Sequence, residues 1–361
     1  MKKISLTLLL FLLIISGCTK PKTSSSTCYD CGFNTVWTWT LNENDKQYDQ
    51  HIKNSIIKYH QLFDIYNDYK GINNLKTIND EAGNKPVIVD EAIIELLSLA
   101  KEVYELSNHY FDICQGNLLN IWHNYRDEGK KLNVQGQLAI NPPFDELASA
   151  YCENAFDHLI IDTENNSVYL NDPSVTLDVG GIAKGFAVEK ISEELNDLGV
   201  RNYGISGGGN IKVTPKANHQ AWRIAIGDPR NNARISYDPI IAVNINKTMS
   251  IVTSGDYFNY YIGENKQKFH HIINPKTLYP ENYYHSVTVI LENSALADAI
   301  STSLFNMPIT EAEKFIQKIN TKYNYDVAVL WILNENNQDI DYQEKNGLKL
   351  YMNDAFKALL K

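Results

Sequence analysis

The chain is poor in cysteine, methionine and proline, with 5, 4 and 11 of them among 361 residues. Five cysteines are too few for a fold stapled by disulfides, so a hydrophobic core must hold the chain, and its length is ample for one. Positive charge is also short: 33 Lys and Arg stand against 43 Asp and Glu, a net charge of −10. That balance argues against a basic nucleic-acid surface, and no nucleic-acid partner is expected. After the first 17 residues no apolar run is long enough to span a bilayer. An acidic chain that handles an anionic ligand needs local compensation from a metal ion, helix N-termini or a few lysines.

What the N-terminus does have is Lys2 and Lys3, an apolar run from Ile4 to Ile15, and then Ser16-Gly17-Cys18. A positive start, a short apolar stretch and small residues before a cleavage point form an export signal over residues 1–17. The cysteine directly after Ser-Gly makes it a lipoprotein signal, with Cys18 the acylated mature N-terminus; several acyl chains on one residue anchor stably. An ordinary secretory signal with an incidental cysteine is the alternative. Polar residues 19–27 suit a flexible tether, placed with the lipidated cysteine at 18–33, ahead of a domain over 34–361. The expected location is exported and membrane-anchored, at a periplasmic face or cell surface. Cys28-Tyr29-Asp30-Cys31 reads as a local disulfide or two idle thiols, since a zinc site needs a second pair of ligands. Cys114 and Cys152 read as buried small apolar residues, with a mutual disulfide as the alternative.

Along the body, residues 36–41 alternate and are rich in strand formers. Helical spacing predicts helices over residues 45–63 and 91–107, the second capped by Asp90. A short helix is expected at 117–122, a loop over 126–143, and a further helix at 145–154. A hairpin follows at 158–162 and 167–170. Residues 184–198 form a helix stopped by Gly199. Strands are expected at 203–205, 222–226, 240–244, 287–291 and 327–333, and helices at 294–305 and 310–319. This order predicts an α+β fold of mixed or antiparallel sheets with flanking helices, not a doubly wound parallel sheet.

Five segments carry candidate chemistry. In Thr176-Leu177-Asp178-Val179-Gly180-Gly181-Ile182-Ala183-Lys184-Gly185 a strand ends and a helix begins. The two glycines allow close backbone approach, and the helix N-terminus with Lys184 favours an anion. Asp178 either binds a ribose or flavin edge or caps the turn. Ser206-Gly207-Gly208-Gly209-Asn210 is a glycine-rich bend for a ligand or for structure alone. Thr253-Ser254-Gly255 offers hydroxyls for phosphate oxygens, and His270-His271 offers a base of near-neutral pKa. Adjacent histidines on a strand face opposite ways, which argues against zinc. Asp298 and Thr302 lie four apart on one helix face, a hard oxygen pair suited to Mg²⁺. Tyr110-Phe111-Asp112 reads by itself as a packed corner.

In order and spacing these segments resemble the ApbE family, the FAD:protein FMN transferases, over residues 34–333. The resemblance is sharpest in LDVGGIAKGFAVEKI, WRIAIGDPR, VTSGDYFNYY, HHIINPKT and ALADAISTSLF. It implies an ApbE-like, T-fold-like architecture. It implies a Mg²⁺ held by Asp298, Thr302 and the Ala183 carbonyl, and an FAD pyrophosphate between that metal, Lys184 and Thr253, Ser254 and Gly255. It further implies flavin and adenosine contacts from Tyr66, Asp112, Asp178, Gly208, Gly209 and Asn210, with His271 as base and Asp298 essential to catalysis. The chain departs from the family at Asn274, where an aspartate is usual, at Leu278, where glycine is usual, and at Cys114, where threonine is usual. The implied reaction moves FMN from FAD onto a Thr or Ser of an exported flavoprotein, such as a subunit of a membrane redox pump, and releases AMP. FAD hydrolysis to FMN and AMP is a second reading. A lipoprotein that only binds FAD is a third.

Overall fold

The computed structural model describes residues 22–230, 239–334 and 340–360. The expected lipidation site, Cys18, and the signal segment lie outside the described residues. Strands β1 (Thr23–Cys28) and β2 (Trp37–Asn42) come first, then helices α1 (Asp49–Phe63) and α2 (Leu75–Asp80). Strand β3 (Val87–Ile88), α3 (Glu91–Leu106), α4 (Gly116–Val134) and α5 (Phe144–Ala150) follow, then β4 (Leu159–Asp162) and β5 (Ser167–Leu170). Helix α6 (Ala183–Asp197) leads into β6 (Gly204–Gly207), β7 (Asn210–Val213), β8 (Trp222–Gly227) and β9 (Pro239–Ile245). Next come β10 (Met249–Gly255), β11 (Tyr260–Ile262), β12 (Lys268–His270) and β13 (Tyr284–Leu291). Helices α7 (Ser294–Phe305) and α8 (Ile309–Tyr323), strands β14 (Ala328–Leu333), β15 (Gln343–Lys345) and β16 (Leu348–Met352), and α9 (Asp354–Ala358) complete the described chain.

The centre is a nine-stranded sheet in the order β1-β2-β6-β7-β10-β13-β14-β16-β15. Its strands pair antiparallel, as the α+β reading expects. Alternation divides each central strand between two cores. Val287, Val289, Val329 and Trp331 face the helical layer of α1, α3, α6, α7 and α8. Ile290, Leu330 and Ile332 face the β8–β9 ribbon and α9. A third, smaller cluster of Leu118, Trp122, Tyr261, Phe269, Ile273 and Leu278 fastens α4 to the β11–β12 hairpin.

Two expectations need correction. Residues Thr23–Cys28 lie within the expected tether but form the edge strand β1, paired with β2 from Thr23↔Asn42 to Cys28↔Trp37. Ser25 and Ser26 hydroxyls bond Thr40 Oγ1 at 3.0 Å and Asp49 Oδ2 at 2.9 Å, uses that a Ser-rich composition does not reveal. Cys28 and Cys31 form a disulfide, whereas Cys114 and Cys152 are free. The loop expected over 126–143 is helical as far as Val134. Its polar run hides a helix stitched by His123–Asp127 and Glu128–Lys131 pairs. Gly129, which discourages a helical reading, is small because the Tyr261 ring packs there; a Cβ would lie 2.6 Å from it.

Candidate active site

The site grows from the contact of α6 with α7. Gly185, in the first turn of α6, has no room for a side chain: a Cβ would lie 2.4 Å from both Asp298 Cβ and the Ser294 carbonyl oxygen. The bare backbone therefore reaches Asp298, and the Gly185 N–H donates to its Oδ2 at 2.8 Å. A second donor, Asn210 Nδ2, meets the same oxygen at 2.9 Å. Gly208 and Gly209, at φ +59° and +96°, make the tight β6–β7 turn that delivers Asn210. No hydrogen bond among the described residues reaches Asp298 Oδ1, so that oxygen keeps its lone pairs.

One helical turn on, Thr302 Oγ1 donates to the Gly181 carbonyl at 3.3 Å. Ala183 opens α6 between Gly181 and Gly185, the two residues that touch Thr302 and Asp298. Ser254 at the end of β10 joins from below, its Oγ 2.8 Å from Ser301 Oγ and 3.5 Å from Thr302 Oγ1. The expected trio of Ala183, Asp298 and Thr302 is thus assembled around the glycine bend. Burial pushes the Asp298 carboxyl up, against the opposing pull of Lys184, the Gly185 N–H and Asn210. Lys184 is half-buried, its ammonium 3.5 Å from the Gly180 carbonyl. Among the described residues no group of three or more His, Cys, Asp or Glu side chains converges to hold a metal. A cation here would have one carboxylate plus hydroxyl and backbone oxygens, and would complete its shell from substrate or water.

The wall beside this centre carries Asp178, Tyr66 and His271. Burial raises the Asp178 carboxyl, opposed by the Gly180 N–H at 2.8 Å and by Arg126, His123 and Lys184. Tyr66 is exposed, and its loop is tied down by Asp64, which accepts from Tyr66 N, Asn67 N, Asn67 Nδ2 and Tyr69 OH. Its ring lies 6.0 Å from His123. The two adjacent histidines divide their roles. His270 is buried, with Nε2 against the Glu281 carbonyl at 2.8 Å and Nδ1 accepting from Ile272 N at 3.3 Å. His271 keeps its imidazole exposed. Partial desolvation by the surrounding wall, then repulsion from His270, Arg126, Lys184 and Lys130, lowers its pKa from the ordinary histidine value.

Two expected ligand contacts face elsewhere. Thr253 points to the opposite side of the sheet from Ser254, where its hydroxyl meets Thr288 Oγ1 at 2.8 Å; strand alternation allows only one of the two to face α7. Asp112 spends both carboxylate oxygens on its own corner, accepting from Cys114 N at 2.8 Å and Gln115 Nε2 at 3.0 Å. The bare packed-corner reading describes it better than a cofactor contact. Asn274 is buried away from the base: its amide donates to Glu281 Oε1 at 2.8 Å and its Oδ1 accepts from Lys276 N at 2.9 Å. Leu278 holds φ +64°, the left-handed conformation that a glycine would adopt freely. Sequence reasoning missed His123, Arg126 and Lys130, cations or potential cations on α4 that crowd His271 or Asp178.

Comparison with known proteins bears on the family and the fold. The sequence profile of the ApbE family matches residues 33–327. A protein of Haemophilus influenzae named FAD:protein FMN transferase is 29% identical over 296 residues, covering 81% of this chain and 78% of that one. The protein of the same name from Vibrio cholerae is 26% identical over 302 residues, covering 83% and 81%. Among solved structures, the ApbE protein of Thermotoga maritima superposes with a TM-score of 0.73 at 24% identity, covering 94% of this chain and all of that one. The flavin transferase ApbE of Vibrio cholerae gives 0.70 at 21%, with the same coverage. With its antiparallel sheet, its glycine-lined α6–α7 contact and a profile match over most of its length, this chain belongs to the ApbE family.

Proposed function

We propose that this protein is an FAD:protein FMN transferase that uses Mg²⁺ and releases AMP. The observation that carries the reading is the buried Asp298, held by Gly185 and Asn210 through one oxygen and open at the other, with Thr302 one turn away. Its close relatives in sequence are named for this activity. A buried carboxylate raised by burial and lacking a direct cationic partner fits a cation brought with the substrate. Asp298, Thr302 and the Ala183 carbonyl would hold that Mg²⁺, which polarises phosphoryl oxygens and orients the leaving group.

The acceptor hydroxyl oxygen bonds to the phosphorus of the FMN half. The bond from that phosphorus to the bridging oxygen breaks, and AMP leaves with the bridging oxygen. The hydroxyl proton passes to His271, whose imidazole is neutral and exposed. Lys184 and the α6 N-terminus balance the diphosphate charge. FAD hydrolysis follows the same path with water as nucleophile. The two separate when AMP release is followed with and without an exported acceptor protein: a transferase shows release that depends on the acceptor and stops in EDTA. Equal release without acceptor identifies a hydrolase, and none in either case a binding protein.

We also propose export and anchoring through Cys18, on the strength of the Ile15-Ser16-Gly17-Cys18 sequence alone. Cys18→Ser should move the protein from the membrane fraction to the soluble one. An unchanged distribution would remove the anchor from the account.

A further inference from the structure

We infer that Arg126, on the α4 face beside His123, is a phosphate-binding arm of the flavin cleft and grips the phosphate of the FMN half opposite Lys184. The inference rests on the proposed function, because it takes a flavin nucleotide as the ligand. Helix α4 is fixed from below. Trp122 is buried and donates from Nε1 to the Leu278 carbonyl at 2.9 Å, and Gly129 seats the Tyr261 ring. His123, Arg126, Asp127 and Lys130 then fall on one stripe at helical spacing.

Within that stripe the hydrogen bonds leave Arg126 unfinished. One Nη2 hydrogen goes to His123 Nδ1 at 2.9 Å, and His123 Nε2 meets Asp127 Oδ2 at 3.1 Å. Arg126 Nε is buried without a partner. Arg126 as a whole is half-buried, and a buried N–H of a guanidinium is ordinarily closed by a carboxylate or a carbonyl. Here Asp127 and Asp178 act on the charge only through space, and among the described residues neither carboxylate takes a hydrogen bond from the guanidinium. Burial pulls the Arg126 pKa down, which marks a charge that the apoprotein does not fully compensate.

The groups that feel this charge locate its open side. Arg126 acts on Tyr66, Asp178 and His271, and Lys184 acts on the last two as well. Two cations from different elements therefore act on the exposed His271. The diphosphate is the full anion of a flavin dinucleotide, and its FMN phosphorus must lie near the base. A planar guanidinium can present two parallel N–H donors to phosphoryl oxygens, which a lysine cannot do.

The test compares FMN, riboflavin and AMP binding, by flavin fluorescence and calorimetry, to the exported chain and to Arg126→Gln and Arg126→Lys. Arg126→Gln should weaken FMN about 10- to 100-fold, the size of a lost charge-assisted hydrogen bond, and leave riboflavin and AMP nearly unchanged. Arg126→Lys should recover only part of the FMN loss. The melting temperature of Arg126→Gln should hold or rise, since a partly desolvated charge is removed. Unchanged FMN affinity in Arg126→Gln, or an equal loss for riboflavin, overturns the phosphate assignment while the transferase reading stands. If Arg126→Gln does not fold, Arg126→Lys decides by the same FMN-to-riboflavin comparison. A wild-type chain that binds no flavin overturns both.

Discussion

Asn274 shows how a departure from the family pattern can be read once its neighbours are known. Its amide donates to Glu281 Oε1, which also accepts from Thr277 Oγ1. Restoring the family's aspartate by Asn274→Asp would set two carboxylates together and remove a donor. It should cost about 1–3 kcal/mol at neutral pH in a denaturant titration. The repulsion raises the carboxyl pKa in the folded state, so the loss should appear as pH rises through that value and fade below it; equal stability at both ends would contradict the contact. His271→Ala should slow transfer about 10²- to 10⁴-fold with FAD affinity largely kept. With a pKa held below the ordinary value near 6.5, the free enzyme's base is already neutral at pH 6. The kcat/KM profile should therefore stay level between about pH 6 and 7. At this scale the sequence showed Asp298 and Thr302 through their helical spacing. The sequence misled at Thr253, because nothing local says which face of a strand carries the ligand; at Asp112 its local reading as a packed corner held, and only the resemblance implied a flavin contact.

Among the elements, the α6–α7 contact decides whether a site exists. Gly185→Ala would drive a methyl into Asp298 Cβ and the Ser294 carbonyl, both at 2.4 Å from the ideal position. The helices must part, at a cost of about 1–3 kcal/mol for an overpacked core, and the Gly185 donor moves off Asp298. Calorimetric melting should show the loss together with weaker Mg²⁺-dependent FAD binding; normal binding in this variant would mean that the contact does not shape the site. Helices α3, α6, α7 and α8 were legible because their apolar residues recur with the helical period. Of helix α4 only the start, expected over 117–122, was legible, since its outer half is charged and Gly129 serves a ring on another element. Strand β1 was hidden by a Ser/Thr composition that reads equally as linker.

For the whole molecule, carboxylates raised by desolvation couple fold stability to pH. Asp298 is raised by burial, as are Asp178 and Asp112. A carboxyl that holds its proton to higher pH when folded favours the fold at low pH, and that advantage disappears as pH rises through the folded value. The apoprotein should therefore lose stability across that range. Asp298→Asn should flatten part of the loss while abolishing the stabilisation that Mg²⁺ and FAD give the native chain. An identical pH dependence in native and variant protein would remove Asp298 as a source. Mass spectrometry of an exported acceptor protein incubated with this chain, FAD and Mg²⁺ is the decisive measurement. The acceptor should gain one FMN, less a water, on a Ser or Thr, and the gain should vanish with Asp298→Ala. An acceptor of unchanged mass while FAD is consumed, or full labelling by Asp298→Ala in EDTA, would contradict the proposed function.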